Sequence, residues 1–585
     1  FGERTRQTVY GTRLDAVTLA QLSGGQLTAA LQAKFTALGA DNSASVTDYQ
    51  YDNAGEIVKQ TDALGVETRY SYNSAGQRIS TTINTDKTNG VSGQRIDKID
   101  YDRLGQIILQ AKDAGGLNLI TQASYDAFGR TIETIDANGA VRSQDYDRQG
   151  NVVVVTDGLG NKSQMTYDAF NSVLTSTDKT GHTTTYAYSP FKRDVTVTTA
   201  EGIVTTTSVN EFGDIIKITD GRGISSTYQY DHNGKLTSST KAAGTDAAAT
   251  VTSTYDGTGH LIATADARGI QTTYTYDAAN RVLTRTFDTA DLNYKTTYGY
   301  DAKGQTVSVT DPNGVLTTTQ YDKLGQKIVV IVDAGAGKLN LTTSFAYDGA
   351  GNQLTVTEGA GSTQPRVTEY VYDKVGRLSS KTIDPVNLKL LTEYEYDGNG
   401  NVVLVRQNNE PVPTRYAYDA EGRVVYVVNQ NGEVTQTGYD AAGRVIAKTT
   451  LAASINLPAG AASAQDIAGL IALQSPSVRA DDHVTQYVYE ADGRLRYTVN
   501  GMNYVTEQVY DKVGNVVSTT AYATPIAATV AIDSAAIAAA LAVQTPASHA
   551  ADRRTYAIYD AANRAIYSLD ALGYITQNTY DANGN

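Results

Sequence analysis

The sequence predicts an all-β chain: one antiparallel meander of β-hairpins, curled as a spiral into a single-layer curved wall, with helix confined to three short inserts. Three observations predict it. A Tyr-Asp-x-x-Gly pattern recurs along the chain, most often every 21 residues, as at 125, 146, 167, 188, 209 and 230. Turn signals fall every ten or eleven residues, the spacing of a meander. Between turns, residue types alternate with period two, which is the strand period.

The turns come first. In Tyr-Asp-x-x-Gly the Asp carboxylate can accept from backbone N–H groups two or three residues on, and the Gly supplies a left-handed backbone. The turn residues that carry this reading are Asp52 and Gly55, Asp126 and Gly129, Asp147 and Gly150, Asp231 and Gly234, Asp277 and Asn280, Asp322 and Gly325, Asp373 and Gly376, Asp440 and Gly443, and Asp511 and Gly514. Where Gly is missing, Asn replaces it at 171, 280 and 563, and Asn is the side chain that best tolerates that region. Lys192 breaks the rule and predicts a different turn. A second Asp-x-x-Gly lies midway in many units, as at Asp62 to Gly65, Asp157 to Gly160 and Asp570 to Gly573. One unit is therefore strand, turn, strand, turn.

The strands follow. Ile270, Thr272, Tyr274 and Tyr276 share one face, while Gln271, Thr273 and Thr275 occupy the other. The chain holds 40 Tyr and 52 Gly but 8 Phe and no Trp. In-phase Tyr on successive hairpins predicts aromatic ladders, each cross-strand pair contributing about 0.2–1 kcal/mol. Neither face is strongly apolar, which fits a sheet wetted on both sides.

Three segments break the alternation. Asp15 to Leu38, Ala452 to Arg479 and Pro525 to Gln544 read as short helices, the second opened by a capping box, Ser463-Ala464-Gln465-Asp466. The last two resemble each other, Gln474-Ser475-Pro476 matching Gln544-Thr545-Pro546, as a duplicated unit would. Helices lying on the sheet and covering apolar surface are favoured over a plug, latch or partner contact. The domain reading is 1–46 N-terminal segment, 47–450 repeats, 451–485 insert, 486–520 repeats, 521–553 insert and 554–585 repeats. The chain opens on Phe1 and stops inside a turn motif, so it reads as a segment of a longer protein with a bare C-terminal edge. Residues 1–46 are expected to cover the first edge.

The motif Tyr-Asp-x-x-Gly-Arg, at Tyr125 to Arg130, Tyr372 to Arg377 and Tyr439 to Arg444, resembles that of RHS/YD-repeat proteins. These include bacterial polymorphic toxins, shell components of insecticidal toxin complexes, wall-associated bacterial proteins and the teneurins. The resemblance spans roughly residues 47–585 outside the inserts. It implies a YD-repeat β-hairpin spiral forming a hollow, cocoon-type shell. It further implies a secreted or cell-surface bacterial protein that encloses or presents a C-terminal toxin or other cargo. The alternative it leaves open is a surface adhesin or interaction scaffold, with a cell-surface or carbohydrate partner. The partners implied are the remainder of the same polypeptide or a neighbouring chain.

Composition narrows the chemistry. With no Cys, disulfides, thiolate metal sites and cysteine nucleophiles are excluded. A formal net charge of −14 argues against nucleic acid. No run of 18 apolar residues predicts a membrane span. None of His182, His232, His260, His483 and His549 sits in a paired-ligand spacing. Asp481-Asp482-His483 reads as a loop or cap, and one carboxylate per turn falls short of the six to eight oxygens calcium takes. The expectation is no catalytic, metal or cofactor residue in this segment, and no enzyme.

Overall fold

The computed structural model describes residues 3–9, 29–38, 45–84, 94–408, 410–458, 460–490, 492–545, 548–560 and 563–580. Within these, the chain forms one 44-stranded antiparallel sheet. The strands are three to eight residues long, as the turn spacing requires. Those adjacent in sequence pair, for example Ser45–Tyr51 with Ile57–Thr61, and Ile57–Thr61 with Glu67–Tyr72.

The two kinds of hairpin differ in one respect that the spacing left unread. At Tyr-Asp hairpins the register slips by one residue beside the Tyr: Gln50 faces Lys59 but Tyr51 faces Ile57, and Gly438 faces Ala447 but Tyr439 faces Val445. This is a β-bulge on the exit strand. Across the midway turns the register runs straight, as from Lys59–Arg69 to Thr61–Glu67. The strand order also corrects the ladder prediction. Motif tyrosines lie only on incoming strands, so an exit strand separates each from the next and they are about 10 Å apart, beyond direct cross-strand contact.

Lys192 does sit in a different turn. Phe191 and Lys192 both take positive φ, 69° and 55°, and the flanking strands pair without a bulge, Tyr188 facing Val195.

Four α-helices are described, and all fall in the predicted inserts: Ala29–Leu38, Ala464–Ala472, Pro476–Arg479 and Ser534–Ala542. Residues 15–28 of the first insert lie outside the described residues. A strand the sequence reading missed, Arg6–Val9, covers one edge of the first repeat strand, with Arg6 paired to Asp48. Ser463 and Asp466 form the capping box. Asp533 caps the last helix by accepting from the N–H of Ala536.

The two C-terminal inserts supply the dry cores of a sheet that is otherwise half-wetted. In the first, Ile467 and Ile471 pack with Ala417, Tyr426, Val428, Val434 and Ile455. In the second, Ile537 and Leu541 pack with Val488, Tyr497, Val499, Val505 and Ile526. Position answers position between the two, and so does the backbone. Ile455 N–H donates to Gly432 C=O as Ile526 N–H does to Asn503 C=O. Full burial of an aliphatic side chain contributes about 1.5–3 kcal/mol, so each helix is held chiefly by its two inward residues.

By contact density the chain divides into two compact units, Phe1–Val141 with Thr272–Thr392, and Arg142–Gln271 with Glu393–Asn585. Each joins two stretches far apart in sequence, and the contacts that join them define the site below.

Candidate functional site

The repeating turn is the unit of the site. In all nine predicted turns the Asp Oδ1 accepts from the backbone N–H four residues on: Asp52 from Glu56, Asp126 from Arg130, Asp147 from Asn151, Asp231 from Lys235, Asp277 from Arg281, Asp322 from Gln326, Asp373 from Arg377, Asp440 from Arg444 and Asp511 from Asn515. The fourth residue has positive φ each time, from 73° at Gly234 to 108° at Gly514 and 64° at Asn280. The Arg130 guanidinium and these N–H donors, opposed by desolvation, hold the Asp126 carboxyl below its ordinary range.

The Tyr does more than fill a face. Its hydroxyl donates to the backbone carbonyl at the bulge of the preceding repeat: Tyr72 to Ile57, Tyr167 to Val152, Tyr321 to Thr306, Tyr439 to Val424 and Tyr510 to Leu495, at 2.7–2.9 Å. The bulge disrupts the ladder at that residue, and a part-buried carbonyl is left in need of a donor. Phe has no hydroxyl and could not supply one. The bond spans even the first insert, from Tyr489 to Val445.

The Arg after the Gly completes the unit. Arg281, Arg423 and Arg444 donate through Nε to the Asp of their own turn at 2.7 Å. Their guanidinium carbons lie 4.5, 4.9 and 4.7 Å from the ring centres of the next tyrosines, Tyr300, Tyr439 and Tyr489. Arg281 and Arg423 also donate to the carbonyls of Asp301 and Asp440 in the following turn. Tyr, Asp and Arg thus lock successive hairpins along one edge of the ribbon. Sequence reading found the Asp and Gly but missed the Tyr hydroxyl bond and the Arg bridge. The signal available was the preference for Tyr over Phe.

The second feature is edge docking. Within the first unit, Lys303 pairs with Asp62 and Asn138 donates to Asp373. Within the second, Asn399 donates to Asp157, Lys179 N–H to Glu421, and Arg222 pairs with Asp492. In every case a midway turn of the earlier stretch meets a Tyr-Asp turn of the later one. The partners lie 235 to 242 residues apart ahead of the first insert. Gly158 and Gly398 let two turns touch: a Cβ on Gly158 would run into the Gly398 carbonyl oxygen. Burial pushes Asp157 upward, but bonds from Lys179, the Leu159 N–H, Asn399 and the Asn161 N–H outweigh it and hold the carboxyl at about 2.

Four of the five histidines sit in turns, and His483 opens the strand His483–Tyr489. His182 and His260 face Thr180 and Thr258 within their own turns, and His549 pairs with Asp552. Asp482 accepts from the Ala452 N–H and closes the first insert, as Asp552 does from Ala523 for the second. Among the described residues no group of three or more acids and histidines could hold a metal ion. No described helix is long and apolar enough to cross a membrane.

The RHS Repeat family model matches residues 51–88, 125–162, 210–246, 255–290 and 300–338, and the Teneurin YD-shell model matches 335–518. The chain belongs to the RHS/YD-repeat family. Among curated proteins, this RHS/YD-repeat chain is 31% identical over 117 residues to the tRNA nuclease WapA of Bacillus subtilis, covering 17% of the chain and 5% of WapA. Its fold resembles that in the Tc holotoxin pore of Photorhabdus luminescens, at TM-score 0.51 and 16% identity, over 93% of this chain and 30% of that one. A TcdB2–TccC3 crystal structure matches at TM-score 0.50 and 16% identity, over 93% and 31%. The chain therefore spans about a third of the solved structures it resembles and a small part of the curated relative.

Proposed function

We propose that this chain is the structural β-shell of a large secreted bacterial RHS-repeat protein, enclosing or presenting a C-terminal toxin or other cargo. Edge docking carries the reading. A ribbon whose midway turns seat on its own Tyr-Asp turns some 240 residues later builds a wall out of single-layer sheet, and a wall is what a container needs. The likeness in fold to chains of Tc toxin complexes supports the shell, and the WapA match supports a bacterial setting. Catalysis is not assigned to this segment. The rival reading, a surface scaffold or adhesin, draws on the Teneurin YD-shell match.

Limited proteolysis of the full-length gene product separates the two. Under the shell reading, a segment that follows residue 585 resists protease while the repeats are intact and becomes cleavable once acid or urea loosens them. Immediate cleavage of every such segment under native conditions, with the purified protein adhering to cells, overturns the shell in favour of the adhesin.

A further inference from the structure

Along the midway edge of the second unit, successive turns present charge of alternating sign. Asp157 stands in turn 157–160, Lys179 in 178–181, Glu201 in 199–202, Arg222 in 220–223, Asp246 in the loop 242–248 and Arg268 in 266–269. Asp178, Asp220 and Asp266 serve their own turns, where Oδ1 accepts from two backbone N–H groups. Asp157 makes the same turn bonds through Oδ1 and reaches the other edge with Oδ2.

The Tyr-Asp turns seated on this edge answer it in order. Asn399 donates to Asp157 at 2.8 Å, Glu421 accepts from the Lys179 N–H, Asp492 pairs with Arg222, and Lys512 donates to Asp246 at 2.7 Å. Asn399, Glu421 and Asp492 each stand third after their motif Tyr, so one position of the repeat makes most of these contacts.

A ribbon of near-equivalent hairpins could wind one hairpin tighter or looser with turns still meeting turns. Either slip reverses the pattern of signs. A slip toward later midway turns sets Glu421 on Glu201, Asp492 on Asp246 and Lys512 on Arg268. A slip toward earlier ones sets Glu421 on Asp157, Asp492 on Glu201 and Lys512 on Arg222. Like charges then meet at all three seats, and such juxtaposition rejects a wrong partner more strongly than exposed pairs hold the right one. Hairpin tips along one edge lie about 10 Å apart, beyond the Debye length of about 8 Å at physiological salt. Each charge therefore reads the tip it touches and not the next one.

We infer that this alternating charge sets the winding register: Asn399, Glu421, Asp492 and Lys512 select which midway turn each Tyr-Asp turn accepts. Curvature brings the two edges together, and the signs choose between neighbouring seats. The same order seats turn 199–202 on turn 440–443, between the Glu421 and Asp492 seats. The register belongs to the ribbon itself and holds for a container and for a surface scaffold alike.

The chain has no Cys, so two introduced thiols report the register without background. In the full chain, Ala200→Cys/Ala442→Cys joins turns that face each other in this register. Ala200→Cys/Ala420→Cys joins turns that face each other only after a one-hairpin slip. Treatment with a short bismaleimide, read by peptide mass, should give the first link and not the second. Adding Glu421→Lys/Asp246→Lys makes two contacts of the slipped register attractive and two of the native one repulsive. The first link should fall at least fivefold and the second should appear. Asp246→Lys alone should lower the first link, and Lys512→Glu added to it should restore that link, which a merely misfolded chain would not do. Equal yields of the two links in the unaltered charge background overturn the inference. So does an undiminished first link after Glu421→Lys/Asp246→Lys. If that chain forms neither link, the rescue decides: failure of Lys512→Glu to restore the first link overturns the inference as well.

Discussion

At the scale of single residues, the repeat is held by atoms its consensus does not advertise. The Tyr439 hydroxyl donates to Val424 C=O at 2.9 Å, and burial and the Asp419 carboxylate push its pKa up, so it stays a donor through neutral pH. Tyr439→Phe keeps the ring and the Arg423 stack but orphans the carbonyl. Urea unfolding should show a loss of about 1 kcal/mol, the low end of the cost of an unsatisfied group because this carbonyl is part-buried. Gly443 is the complementary case, with φ of 78° and the Arg423 side chain as the nearest neighbour of an added Cβ, at 3.7 Å. The barrier to substitution there is backbone conformation, not space. Gly443→Val should cost on the order of 1–2 kcal/mol and Gly443→Asn markedly less, read from the same melts. Equal costs would place the constraint elsewhere.

At the scale of elements, a hairpin is a turn, a bulge and a cross-link, and an insert is a helix pinned by two side chains. Ile467 and Ile537 are wholly buried at matching places in the two inserts. Ile467→Ala and Ile537→Ala should each cost about 2–5 kcal/mol. Native-state hydrogen exchange should place the loss in the mutated insert and the strands beneath it, Val424–Val428 and Val434–Tyr439 for the first, Leu495–Val499 and Val505–Tyr510 for the second. Loss spread evenly over the sheet would refute the pinned-helix account. The inserts were legible in the sequence because a capping box and an apolar pair at helical spacing are local signals. The bulge was not, since its extra residue falls at the very start of the exit strand, as between Ile57 and Lys59, where too few residues precede it for the phase shift to be counted.

At the scale of the whole molecule, the ribbon is held where its two edges meet, and carboxylates hold it. Asp157 bonds Lys179 and Asn399 at once and its folded pKa lies near 2, below the ordinary value of about 3.9. A carboxyl depressed by folding adds stability that is complete above about pH 4 and fades as pH falls through about 2. Asp126, Asp277 and Asp373 are shifted in the same direction and add to the trend. Unfolding midpoints should therefore stay level from neutral pH to about 5 and drop below 4. Asp157→Asn should start lower and drop less steeply. A variant whose acid limb parallels wild type would remove Asp157 from the account.

The sequence by itself determined the local half of this protein. Asp-x-x-Gly turns, two-residue alternation and helix caps each act within about ten residues, so their physics is written in consecutive letters. From them follow the strands, the hairpins, the turn glycines and the inserts. Tertiary structure alone decided which turn sits on which. The pairing of Asp157 with Asn399, or of Arg222 with Asp492, depends on how far the ribbon curves per hairpin. That curvature accumulates from small twists and bulges over more than 200 residues. No single repeat encodes it, and so the sequence named the bricks while the fold chose which courses touch.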